Sequence, residues 1–190
     1  MSLRLVPAQP KVIANPFTSQ EVDGEVVHYA DIPYVADRRP WAEQVKEVAS
    51  ETKLHYELAS LGRHFKVPGT HPGGLLRICL VRPSFVPGIY GAVTWGLGHG
   101  FQLASPYHLL AVARAIPNIK DCFPAKNKKD RKGPGLLATE PSNKTDDAKY
   151  FGLWYPVPEE PCSASSVPSS NAGLGKMTLY LFVSKPWEPA

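Results

Sequence analysis

Proline sets the first constraint on this chain, contributing 20 of 190 residues beside 15 glycines. Its ring fixes φ and removes a backbone donor, so it is expelled from helix interiors and from central strands. Regular elements must fit between these breaks, and much of the chain is expected as loop. With 43% hydrophobic and 20% charged residues the remainder still has material for a core, which excludes global disorder.

The best-patterned helix follows Pro40. Asp37 is placed to cap it, and Pro40 suits its first turn. Trp41, Val45, Val48, Thr52, Tyr56 and Ala59 recur at spacings of three and four, with Glu43, Lys46, Glu47 and Lys53 on the opposite face. Gly62 supplies a stop. A second helix is signalled by Ser105 before Pro106 and continues through "YHLLAVARAI" to Pro117.

Strands are expected at "EVVHYADI" (25–32), "LLRICLVR" (75–82), "IYGAVTW" (89–95), "YFGLWY" (150–155) and "KMTLYLFVS" (176–184). In the last, Met177, Leu179, Leu181 and Val183 alternate with Thr178, Tyr180 and Phe182. Around these lie an N-terminal edge strand or extended arm (1–20), a basic and polar loop (117–148) and a loop rich in proline and serine (156–175). All belong to one domain, 1–190.

From residue 25 the order is β, α, β, β, α and then one or two β. This predicts an α+β fold with an antiparallel or mixed sheet and two main helices on one face. It is the order of a ferredoxin-like split βαβ unit, extended here by proline-rich arms and loops.

Composition also narrows function. Cys79, Cys122 and Cys162 are widely separated and lack any C-x-x-C or Cys/His grouping, so neither a zinc site nor a disulfide framework is expected. No run approaches the roughly 18 apolar residues of a membrane helix, and "MSLRLVPAQPKV" lacks a signal-peptide core. The expectation is a soluble, cytoplasmic protein with no membrane partner, metal or cofactor.

The basicity is local. "KNKKDRKGPG" (126–135) holds Lys126, Lys128, Lys129, Arg131 and Lys132 against Asp130, a surplus of four that equals the formal net charge of +4. Clustered cations neutralise phosphates and release counterions, which is the chemistry of sequence-independent nucleic-acid binding. Gly133 and Gly135 would let backbone approach a ligand closely. Tyr29, Tyr90, Trp95, Tyr150, Trp154 and Tyr180 are candidate stacking surfaces on strands. Over seven residues "RKGPGLL" resembles the glycine-rich loop of the ferredoxin-like RNA-binding subunits of CRISPR effector complexes, without the second half of that glycine pattern.

Catalytic signatures are absent. "GAVTWGLGHG" has Phe101 where a dinucleotide-binding fingerprint needs its third glycine, and no Walker lysine follows. No G-x-S-x-G or H-E-x-x-H occurs. His99 and His108 are the histidines that could meet in space, joined by Asp121 or Cys122, to make an acid–base or nucleophilic site. The sequence therefore favours a non-enzymatic interaction protein that acts in a macromolecular complex, with a protein partner or a second copy and with RNA or DNA as a further partner. Its profile suits the accessory proteins of phages and other mobile elements. The alternative is a small hydrolase or transferase using His99 and His108.

Overall fold

The first strands form on a two-residue turn. In a computed structural model of the chain, which describes residues 15–49, 56–69, 71–84, 88–123, 132–143, 148–156, 162–169 and 178–184, Asp23 (φ 49°) and Gly24 (φ 77°) are both left-handed. This Asp-Gly turn has the hand that matches strand twist, and it joins β1 (Thr18–Val22) to β2 (Glu25–Pro33). Glu25, buried at the start of β2, accepts hydrogen bonds from the Ser84 backbone N–H (2.9 Å) and hydroxyl (2.6 Å), anchoring the turn to the chain leaving β3.

Among the described residues, eight strands make one mostly antiparallel sheet: β1, β2, β3 (Leu75–Val81), β4 (Gln102–Leu103), β5 (Lys132–Ala138), β6 (Lys149–Pro156), β7 (Ser163–Pro168) and β8 (Thr178–Ser184). The spatial order is β1-β2-β3-β8-β5-β6-β7, with β4 also paired to β8. Of these pairings only β5–β8 is parallel. Thr139, buried just past β5, joins β5 to β4. Its Oγ1 accepts the Ala104 N–H (2.9 Å) and donates to the Leu181 carbonyl (2.7 Å).

The period of two assigns the two faces of the sheet. Ile78 and Leu80 of β3, Leu136 of β5, Phe151 and Leu153 of β6, and Leu179 and Leu181 of β8 point to one side. They meet α1 (Trp41–Ala49), α2 (Tyr56–Leu61), α4 (Pro106–Ala115) and the short α5 (Ile119–Cys122). The described parts of both expected helices thus lie on one face, the first of them as α1 and α2. The opposite face, with Cys79, Val81, Leu137, Tyr180 and Phe182, is packed by α3 (Ile89–Gly98) through Ile89, Ala92 and Trp95.

That α3 is a helix corrects the expectation of a strand at 89–95. The β-branched and aromatic residues suggested extension, but the buried positions Ile89, Ala92, Trp95 and Gly96 follow the helical period. Gly96 is a contact point: a methyl group there would overlap the Phe182 ring, so the helix lies directly on β8.

The ferredoxin-like arrangement is not confirmed. β2 and β3, which flank α1 and α2, are direct antiparallel neighbours, and the sheet is larger than that unit. Strands and a helix also lie where connections were expected. α5 and β5 lie within 117–148 and β7 lies within 156–175, while β1, at the sheet edge, overlaps the end of the 1–20 edge strand or arm.

Asp37 does not cap α1. Its carboxylate accepts from the Arg39 backbone and guanidinium, while the buried Gln44 amide donates to the carbonyls of Asp37 and Arg39 and so secures the entry to the helix. Tyr56 and Ala59, expected on the core stripe, are exposed; Leu58 and Leu61 are buried instead. The Trp41 indole donates to the Leu58 carbonyl (2.9 Å), which turns that edge of α2 toward α1.

Candidate functional site

Of the basic candidates, Lys126, Lys128, Lys129 and Arg131 lie outside the described residues, whereas Lys132, Gly133 and Gly135 fall in β5. The strand's parallel pairing with β8 puts its start at the same end of the sheet as the start of β2. On the other side of the segment stands Phe123, buried on the helix-covered face. Its ring meets Phe17 at 5.1 Å and His28 at 4.9 Å. The basic stretch is thus tethered at two fixed points.

Gly135 has a packing role. It is paired with Trp154 of β6, and a methyl group on it would overlap the indole ring. The indole N–H donates to the Ser165 hydroxyl on β7, which holds the ring over the glycine. The register also shifts between Lys132 and Gly135, around Pro134.

The strand aromatics do not form an open stacking sheet. Trp95, on a helix rather than a strand, is buried together with Tyr150 and Tyr180. Tyr29 and Trp154 are half-buried, and Tyr90 on α3 is 54% exposed.

The two catalytic candidates belong to opposite faces of the sheet. His99 caps the C-terminal end of α3, its ring 4.5 Å from that of Trp95. Its Nδ1 donates to the Trp95 carbonyl (2.7 Å), and its Nε2 lies 3.5 Å from Asp23 in the β1–β2 turn. His108 opens α4 on the other face. Its Nδ1 accepts the Ser105 N–H (3.1 Å), a side-chain bond back to the residue that precedes α4. Asp121 and Cys122 are on α5, beside Phe123.

His108 has a different neighbour, for which the sequence holds no signal. With Nδ1 accepting, the neutral ring carries its proton on Nε2, 3.4 Å from Nε2 of His71. Tyr34 lies against both rings, at 5.2 and 5.3 Å, and its hydroxyl donates to the Pro68 carbonyl (3.3 Å). Burial, helped by His71, holds the His108 pKa down at about 4, and burial also lowers that of His71. Such a neutral pair binds the chain just before β3 to α4. A metal bound at His108 Nε2 would require an imidazolate, because Nδ1 is already an acceptor, so the pair is a poor metal donor set. Among the described residues no group of three or more His, Cys, Asp or Glu is placed to hold a metal.

An open groove of about 900 Å³ runs between the chain leaving β2 and α4, with Val35, Ala36, Ala111 and Ala115 in its walls. Its charged rim is largely paired. Asp37 contacts Arg39 (2.7 Å) and Arg114 (3.3 Å), and Glu47 contacts the same two guanidiniums (2.7 and 3.1 Å). The Arg39 hydrogen bonds hold the Asp37 carboxyl below its ordinary range. The groove offers no nucleophile or free carboxylate for acid–base work. No described helix is long and apolar enough to cross a membrane.

No protein-family model matches the chain, and no curated protein or solved structure is detectably similar to it.

Proposed function

We propose that the protein is a non-enzymatic subunit of a macromolecular complex that contacts nucleic-acid phosphates through Lys126, Lys128, Lys129, Arg131 and Lys132. One observation carries this reading: the segment's surplus of four positive charges equals the formal net charge of the whole chain. Elsewhere several cations are engaged, with Arg39 and Arg114 on Asp37 and Glu47, Arg77 on Asp31 and Lys149 on Glu57. A local cationic surplus is the footprint that phosphate binding requires.

The alternative, a small hydrolase or transferase using His99 and His108, has no common site to support it. The two side chains lie on different faces, and each is occupied in capping a helix.

Replacing all five basic residues with alanine tests the proposal. Affinity for RNA and DNA should fall, and the slope of log K against log salt should flatten by about 0.7 for each single-strand phosphate that is no longer neutralised. Unchanged affinity and slope would refute it.

A further inference from the structure

Resting on the nucleic-acid reading above, we propose that the partner is single-stranded and that its bases stack on Phe17 and His28, beside the point where the basic segment departs. Phe123 is the last described residue before that segment, and its ring meets both Phe17 and His28. Phe123 is buried, while Phe17 and His28 remain partly exposed. Phe123 therefore packs at an angle against both rings, and each keeps part of its surface in solvent.

The imidazole is held in place and is neutral. The Ser19 hydroxyl lies 2.8 Å from His28 Nδ1 and fixes the ring's rotation. Burial, with a smaller contribution from Arg82, lowers the His28 pKa, so at neutral pH the ring is uncharged. Arg82 puts positive charge beside it, and Lys120 lies on the turn of α5 that leads into Phe123. Aromatic faces next to cations are the two components of a single-strand site, because bases stacked inside a duplex offer no free face. The rings buried beneath α3 offer no comparable platform.

The test uses the full chain with fluorescent oligo-uridine, oligo-thymidine and a duplex of equal length, each titrated over a range of salt. Phe17→Leu and His28→Gln keep side-chain bulk but remove the rings, and thermal unfolding checks that both variants fold. The double variant should bind single strands about fivefold or more weakly, at an unchanged salt slope and with duplex affinity unaltered. Phe17→Tyr should retain affinity. If the double variant binds single strands as wild type does while the five-alanine variant loses its salt slope, stacking is refuted and the phosphate reading stands. An equal weakening on single strands and duplex would refute the single-strand assignment. Wild-type protein that binds none of the three probes would overturn both proposals.

Discussion

The Gly135 backbone lies beneath the indole of Trp154, its cross-strand partner on β6. The glycine leaves room for the ring, and Ser165 fixes the ring above it. Gly135→Ala should therefore destabilise the fold by about 1–3 kcal/mol through overpacking. Trp154→Leu should relieve the clash, so a double-mutant cycle by urea unfolding should show strong coupling between the two positions. If Gly135 instead served close approach to a ligand, the alanine variant would lose binding at full stability.

Thr139 is a second point where one side chain decides local geometry. Thr139→Val keeps the shape but leaves the buried Ala104 N–H and one bond to the Leu181 carbonyl unmade. Stability in chemical denaturation should fall by about 2–4 kcal/mol, and Thr139→Ser should recover most of it.

Acid should weaken the protein through His108. Its folded pKa is about 4 against an ordinary value of 6.5. As pH falls through that window the unfolded chain takes the proton first. The stability contributed by the neutral ring is therefore complete above pH 6.5 and lost progressively toward pH 4, by up to about 3 kcal/mol. His71 and His28, also lowered by burial, act in the same direction. His108→Gln keeps an acceptor for the Ser105 N–H but does not titrate, so melting temperature plotted against pH should become shallower in that variant.

Cys79 should be inert in the native state. It is fully buried on β3, and burial pushes its thiol up to about 12. A thiol reagent at neutral pH should reach the half-buried Cys122 and Cys162 well before Cys79, which should react only on unfolding. Mass spectrometry of the labelled peptides resolves the order.

Local signals made several elements legible. Ser105-Pro106 marked the start of α4, and the alternation in 178–184 marked β8 with its two faces. The Asp23-Gly24 turn is an equally strong signal, and it places β1 in a hairpin at the sheet edge, where an edge strand or an arm was expected. In α3, aromatic and β-branched composition outweighed a helical period that was present in Ile89, Ala92 and Trp95. β5 and β7 were not legible because "KGPGLLA" and "SASSVP" have little strand character. They are strands because β8 and β6 supply partners distant in sequence. The pairing of His71 with His108 was hidden for the same reason: it joins a loop to a helix, with no fixed spacing. The basic stretch, the clearest functional signal in the sequence, runs between Phe123 and β5.

The position of β8 affects how the molecule is made. Among the described strands, β8, the last of them, is the one that joins β1–β3 to β5–β7. Without residues 178–184 in place, the sheet would lack the strand that pairs with both β3 and β5. Unpaired edges invite pairing with other chains, so nascent protein should depend on chaperones until synthesis of β8 closes the gap.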